Sequence, residues 1–483
     1  MAKYMDDRSC ESLFVDGSLD SLLPENSIAR TIWHAVFNLD FSRFDAKYMN
    51  DENGRPAIDP RRLACLWILA LLRGVTSSVK LAALCLTDIE MRWICGDAHV
   101  KKSTLCDFRK RHVEELSDLS TQVLAALARS EMLPAKEVVV DGSIIRAAAS
   151  CGANCKRKHL KKKVEKLNKI IEEKLSEPDA GKDEVCEQVK CKERFEQALE
   201  EMTRLGINDD DARMTITEPD ASLKKMKTGQ FAPAHNVQNS ADLESGAIIN
   251  IDVIDQANDQ GQLANQLDNA KNELELVNEK LADEQVDAGP IETASADSAY
   301  HDTRQLVDIE NYGIEIFVPD GNANRKPPGV SDDFLSSKFE YDNESDTMTC
   351  PQGKQMKRCG LNKGKTAVQY QTRASDCNTC PFKNQCCPKA KRGRKVSNQL
   401  YETELKTVAD RVASKRGQRH KKARSVVVEG AFGRIVELLN WRRCRTWGRD
   451  GAIAEGLWRQ ITHNLMLLTG QWKPLVMQEI ATE

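Results

Sequence analysis

A six-residue run, Glu137-Val138-Val139-Val140-Asp141-Gly142, stands between two stretches of helical pattern and rules out an all-helical protein. Three consecutive β-branched side chains crowd a helical turn but suit a pleated, buried strand. The run ends in an acid and a glycine, so the strand delivers a carboxylate at its tip. A buried strand needs neighbours. Ala234–Gln238 and Ala247–Ile254 offer two, with Leu243–Gly246 placed as a hairpin connection. Thr293-Ala294-Ser295-Ala296-Asp297 and Ile314-Glu315-Ile316-Phe317-Val318 offer two more, after a helical stretch over Gln262–Leu281. A strand–hairpin–helix–strand order with acids at strand ends predicts an α/β domain on a mixed sheet.

Around that sheet the chain reads as helices and insertions. Residues 1–130 are helical in pattern. Pro60 opens a helix carrying Leu63, Leu66, Trp67, Ala70 and Leu71 on one face, a second runs from Ser78 to Leu86, and a third from Ser103 ends in Arg109, Lys110 and Arg111. Short helices ending in a basic one suit a helical N-terminal DNA-binding domain, and equally an oligomerisation module. The sheet domain starts at 131 and its first part runs to 320. It is interrupted at about 155–205 by a helical hairpin: Lys156–Leu175, with Leu160, Val164, Leu167 and Ile171 in helical register, a turn at Pro178–Gly181, and Glu184–Leu205. Residues 321–398, rich in Gly, Pro, Lys and Cys, read as a second, loop-rich insertion. Residues 399–483 are helical and complete the sheet domain.

Composition narrows the setting. The longest apolar run, Leu63–Leu72, is too short to span a bilayer, and no basic flank with an apolar core opens the chain, so no membrane is expected. Sixteen cysteines are then expected in a reducing cytoplasm, as core residues or metal ligands. A formal charge of −3 conceals segregation: Pro351–Arg424 holds twenty Lys and Arg against four acids. Bias sustained over that length points to a phosphate-tracking surface and to DNA as partner. The chain has no Gly-x4-Gly-Lys-Ser/Thr loop and no Gly-x-Ser-x-Gly element, which disfavours ATP-driven helicases and serine hydrolases.

Phosphodiester transfer needs an attacking oxygen activated and a leaving oxygen stabilised in line. Two hard cations roughly 3.5–4 Å apart do both when carboxylates anchor them. Seventy-three acids offer themselves, and composition cannot choose among them. Five segments in order can. Pro56-Ala57-Ile58-Asp59-Pro60-Arg61-Arg62-Leu63 with Thr104-Leu105-Cys106-Asp107-Phe108-Arg109, then Val140-Asp141-Gly142-Ser143-Ile144-Ile145-Arg146-Ala147, then Glu218-Pro219-Asp220-Ala221 with Asn236-Val237-Gln238, then Ala296-Asp297-Ser298-Ala299-Tyr300, then Val428-Glu429-Gly430-Ala431-Phe432-Gly433-Arg434-Ile435 with His463-Asn464-Leu465. Together they resemble the DDE transposases of bacterial insertion sequences, in the branch with a helical N-terminal domain and a cysteine-bearing insert.

The resemblance implies a ribonuclease-H-like sheet in which Asp141, Asp297 and Glu429 hold two Mg²⁺ or Mn²⁺ ions. It also implies cleavage of element ends, strand transfer into target DNA, a homodimer on DNA, and work at the bacterial nucleoid. Val428, Phe432, Ile435 and Leu439 repeat as one α-helical face, and Glu429 lies about 100° from it, at a groove edge. The rival Glu437 is roughly 12 Å further along the axis. The chain departs from the family pattern at Ala299 (usually Gly), His235 (usually Tyr) and Val436 (usually basic). Arg424 and Arg434, with Lys421 and Lys422, are the cations left to meet DNA phosphate. Among the tryptophans crowded by arginines, Trp447 is the candidate to stack on an unpaired base at a cut end. A DNA-binding relative without turnover, and a nuclease without joining, remain open alternatives.

The insert carries Cys350-Pro351, Cys377-x2-Cys380-Pro381 and Cys386-Cys387. Two sulfur pairs can close a tetrahedron around one ion, a structural chemistry suited to a segment short of apolar core. Cys350, Cys377, Cys380 and Cys386 are the expected Zn²⁺ ligands, with Cys387 and Cys359 as substitutes. Cys151-x3-Cys155 and Cys186-x4-Cys191 read as thiols packed within the helical hairpin.

Overall fold

The β-branched run pairs on both edges, as a strand buried on both faces must. In a computed structural model, which describes residues 18–48, 57–176, 182–256, 258–321, 328–363 and 365–473, six strands form one mixed sheet. β1 (Glu137–Arg146) lies at its centre, followed in the chain by β2 (Ser222–Lys225), β3 (Phe231–Asp242), β4 (Ile248–Ile254), β5 (Thr293–Ser295) and β6 (Glu315–Phe317). β3 runs antiparallel to β1, and β2 and β4 share the other edge of β3 end to end. On the opposite side of β1, β5 and then β6 run parallel. The mixed α/β architecture expected from the strand pattern is therefore present.

Alternation along the strands sorts their side chains between two cores. Val138 and Val140 pack with Ala294, Ala296, Ile316 and helix residues on one face. Val139 and Ile145 pack on the other with Trp441, Trp458 and the C-terminal segment. That second core runs unbroken into the N-terminal helices: α1 (Ile28–Phe37), α2 (Pro60–Leu72), α3 (Ser78–Thr87), α4 (Ile89–Cys95), α5 (Lys102–Arg111) and α6 (Val113–Arg129). The three helices expected after Pro60 are present, and Asp59 caps the first through the N–H of Arg61. Pro56 and the Pro178–Gly181 turn lie outside the described residues.

The helical hairpin is α7 (Arg157–Leu175) and α8 (Lys182–Arg204), closed at its base by a short ladder of Asn154–Lys156 on Arg213–Thr215. Cys155 enters its small core with Leu160, Ala198, Met202 and Met214, whereas Cys151 and Cys186 are exposed. α9 (Leu263–Lys280) and α10 (Thr303–Asn311) cover the sheet between β4 and β6.

Two elements differ from the sequence reading. The insert is not loop-rich: Glu340–Asp342, Thr347–Thr349, Gln355–Leu361, Ala367–Gln371 and Lys395–Gln399, here β7 to β11, form a five-stranded antiparallel sheet. Its core is six side chains, Phe339, Met348, Met356, Val368, Tyr370 and Val396, so most strand positions are exposed and leave no alternation to read. The C-terminal part continues as α11 (Glu402–Ala413) and α12 (Lys415–Val427), but Val428–Phe432 and Arg434–Leu438 are π-helical rather than α-helical. Wider winding keeps Phe432, Ile435 and Leu439 buried while changing the direction of the positions between them.

Last comes α13 (Gly448–Leu468), buried almost throughout from Gly451 to Leu467. Its polar residues have a task. Gln460 Nε2 donates to the carbonyls of Ile248 and Ile249, and the Asn464 amide exchanges bonds with the backbone of Ile248 at 2.9 and 3.0 Å. They occupy the free backbone groups of an edge strand. Among the described residues no helix is long and apolar enough to cross a membrane.

Candidate active site

Two of the three expected acids, Asp141 and Asp297, lie near each other. β1 and β5 pair with a constant offset, Glu137 with Thr293, Val138 with Ala294, Val139 with Ser295. Asp141 is in mid-strand, not at the strand tip expected from the sequence, and Asp297 follows two residues after the last of these pairs, close enough for its charge to act on Asp141. Both acids face the same way. Asp141 has the parity of Val139, and Asp297, in extended backbone, that of Ser295. On that face lies α12: Ser295 Oγ is 3.4 Å from His420 Nδ1, and the His420 ring stacks on Phe317 at 3.7 Å.

The surroundings of Asp141 concentrate negative charge. Burial pushes its carboxyl up to about 7, the neighbouring Asp297 adds to the rise, Arg424 opposes it, and Asp259 raises it further. Asp297 spends one oxygen on capping the turn Ser298–Tyr300, accepting from the Ala299 N–H at 2.8 Å. Arg424, expected to meet DNA, is half-buried within reach of Asp141 and supplies it with positive charge.

Glu429 follows Arg424 on the π-helical turn. It is exposed, with Oε1 3.3 Å from Ser425 Oγ. The rival Glu437 is taken by an ion pair with Arg442. Among the described residues no three His, Cys, Asp or Glu side chains are arranged to hold a metal ion, so neither Asp141, Asp297 and Glu429 nor the insert cysteines form a closed metal cage. Arg434 turns inward over the Trp472 ring, with Nη1 buried and without a hydrogen bond. Lys421 and Lys422 are exposed on α12 beside Arg419, and Val436 is half-buried against the core.

Behind the two acids, on the opposite face, is a polar cluster that sequence reasoning missed. Gln238, fully buried and paired with Gly142 in the sheet, donates to Asn236 Oδ1 at 3.0 Å and to Asp259 Oδ1 at 2.7 Å, and accepts from the Tyr300 hydroxyl. Asp259 lies in the irregular connection after β4. Nothing in its local sequence distinguishes it from a turn-forming Asp.

The position that departs as His235 is also explained. Its Nε2 donates to buried Glu218 at 3.0 Å, and Glu218 further accepts from the N–H groups of Ala149 and Gly448. Asp220 accepts from the N–H of Arg449. These bonds fix the backbone on which Trp447, 56% exposed, projects, whereas Trp441 and Trp458 are core residues.

In the insert, Cys350, Cys377, Cys380, Cys386 and Cys387 border one cavity of about 320 Å³. Backbone N–H groups of Lys354 and Arg394 point at the sulfurs of Cys350 and Cys377, each at 3.4 Å. Burial and the adjacent Cys377 and Cys386 push the Cys387 thiol up to about 12. Cys359 lies apart on β9, exposed, its sulfur against the carbonyl of Gln369.

With this geometry in place, two family matches are informative. A model described as a transposase DDE domain matches residues 349–469, and one described as a transposase domain (DUF772) matches 17–111. Together the two matches indicate an insertion-sequence DDE transposase. No curated protein and no solved structure matches it. The DDE-domain match in this transposase covers the insert cysteines, α12 and Glu429, while Asp141 and Asp297 lie outside it. Transposases act on DNA, and DDE transposase domains generally use divalent metals.

Proposed function

We propose that this transposase cuts DNA at the ends of its element and joins the freed 3′ ends to target DNA, using Asp141, Asp297 and Glu429 as ligands of two Mg²⁺ or Mn²⁺ ions. The observation that carries the reading is the closeness of Asp141, in the middle of β1, to Asp297, two residues past the end of the parallel β5, on the face toward α12. The sheet supports it: an antiparallel hairpin on one side of β1 and two parallel strands on the other is the arrangement of a ribonuclease-H-like domain.

The donor set fits. Burial and then the neighbouring Asp297 push the Asp141 carboxyl up, as expected of carboxylates placed for a cation. Such ions, when bound, activate the attacking oxygen and stabilise the leaving one. Arg424 balances the two acids, and Glu429, exposed five residues later, is free to turn toward them. Arg419, Lys421 and Lys422 present positive charge for a DNA backbone, and Trp447 presents a ring for an unpaired base. A homodimer bridging two element ends completes the assembly. The insert cysteines hold Zn²⁺: sulfurs around one cavity, two of them already facing N–H donors, suit a thiolate site with no catalytic opening. Cys387 borders the same cavity as Cys350, Cys377, Cys380 and Cys386 and can replace one of these four as a ligand, whereas Cys359 lies apart.

One observation favours a second reading, a DNA-binding relative without turnover: Glu429 stands outside the acid pair. One assay separates these and a nuclease. The protein is incubated with labelled terminal-repeat DNA, a target plasmid and Mg²⁺ or Mn²⁺, beside Asp141→Asn, Asp297→Asn and Glu429→Gln. Joined products lost in all three variants are expected. Cutting without joining identifies a nuclease, and binding alone identifies the inactive relative.

A further inference from the structure

The two acids sit on separate strands, and Asp297 lies past the last residue of β5 that pairs with β1. Main-chain pairing therefore does not fix its distance from Asp141. Something else must, because ligands of one cation site have to be held to within about half an ångström.

The polar cluster behind the acids has the connectivity to do this. Gln238 is fully buried, and all three of its amide contacts are made. Nε2 donates to Asn236 Oδ1 and Asp259 Oδ1, and Oε1 accepts from Tyr300. Asn236 Nδ2 reaches the same Asp259 oxygen at 3.0 Å. Gln238 pairs across the sheet with Gly142, the residue after Asp141. Tyr300, 1% exposed, ends the turn that Asp297 caps. The chain of bonds thus runs from the β1–β3 ladder at Asp141 to the turn at Asp297.

Gly142 makes room for it. A Cβ there would lie 2.7 Å from both Asp259 Oδ1 and Gln238 Nε2, a separation real Cβ atoms do not adopt. The glycine after the first acid is needed for the space behind it, not for a turn. Buried Lys224 anchors the loop from below, donating to the carbonyls of Asp255 and Gln256 at 3.3 and 3.0 Å. A fully satisfied buried network of this kind rigidifies what it touches.

We propose that the Gln238–Asp259–Tyr300 bridge sets the spacing of Asp141 and Asp297, making Asp259 and Tyr300 positioning residues for the cation site. This rests on the reading of Asp141 and Asp297 as metal ligands. Tyr300→Phe removes one hydroxyl and cuts the bridge, and Asp259→Asn keeps its shape while removing its charge. Loss of outer supports weakens metal binding by about 10- to 100-fold.

The test is Mn²⁺ titration of the full-length protein, free ion being counted by electron paramagnetic resonance, with DNA cleavage followed over a range of Mg²⁺ concentrations. Half-saturating Mn²⁺ is expected to rise roughly tenfold in Tyr300→Phe and several-fold in Asp259→Asn. Cleavage is expected to recover at high Mg²⁺. Thr121→Val, which breaks a comparable bond to Glu273 between α6 and α9, controls for general loosening and is expected to leave Mn²⁺ binding unchanged. Parental Mn²⁺ binding in both bridge variants, with binding lost in Asp141→Asn, would overturn the bridge and spare the ligand assignment. Parental binding in Asp141→Asn as well overturns both. An equal shift in Thr121→Val also overturns the bridge, by showing that any loosening suffices. Should Tyr300→Phe not fold, Asp259→Asn and Gln238→Glu carry the same comparison.

Discussion

Glu218 is a buried carboxylate that accepts three hydrogen bonds, and Glu218→Gln tests whether they hold the Trp447 backbone in place. Oε1 accepts from His235 Nε2 and from the Gly448 N–H, both at 3.0 Å, and Oε2 accepts from the Ala149 N–H at 2.8 Å. Glutamine keeps the volume but turns one acceptor into a donor. If the new NH2 takes the Oε2 place, it meets the Ala149 N–H, and if it takes the Oε1 place, it meets two donors. At best one hydrogen bond is lost and one buried N–H is stranded, each about 1–3 kcal/mol. The expected loss is about 3 kcal/mol, or roughly 100-fold in an opening equilibrium. Hydrogen exchange of the Ala149 and Gly448 amides reads it locally, without requiring two-state unfolding of a long chain. Both amides should exchange about 100-fold faster, while those of α9 stay as in the parent. Unchanged exchange at both amides would refute the reasoning, because it would mean that the three bonds do not limit opening there.

Three further outcomes are expected. Burial holds His420 down to about 4 and His463 to about 3, so both stay neutral in the folded chain. Below the ordinary 6.5 the unfolded rings take up protons that the folded ones refuse. Stability is therefore complete above pH 6.5 and falls as pH drops toward 4, by up to about 1.4 kcal/mol per unit for each ring. Melting temperatures across this range check it, and a flat profile would count against both burials. Protein purified without chelator should carry one Zn²⁺ per chain, absent from the Cys377→Ser/Cys380→Ser double variant. Metal-free parent protein would sink the zinc assignment. Trp447→Ala should weaken binding to DNA ends bearing an unpaired base by roughly 10- to 100-fold, leaving fully paired ends unaffected. Equal loss on both substrates would assign the ring to packing instead.

The legible features were those encoded within a few residues. A β-branched run with a definite parity fixed β1, its two faces, and the side from which Asp141 emerges. Period and caps located α2, α3, α5, α7 and α9, and turn residues located the β3–β4 hairpin. Cysteine spacing foretold sulfurs around one cavity, because Cys-x2-Cys is a local geometry.

The illegible features depended on what lies opposite. The insert sheet escaped notice because six core side chains leave no pattern on strands that are mostly exposed. The π-helical winding of 428–438 escaped because the buried residues suit an α period equally well, and the packing partner selects the winding. Arg434 read as a free cation, and Trp472, far along the chain, turned it inward. Asp259 carries no local signal, and only its approach to Gly142 and its bond from Gln238 give it a place. Sequence alone determined which residues form the strongly patterned elements, such as β1, α2 and α7, and which face each one buries, because backbone sterics and burial act over one or two turns. Tertiary structure alone decided which distant groups share a bond, because that depends on the register and packing of elements a hundred or more residues apart.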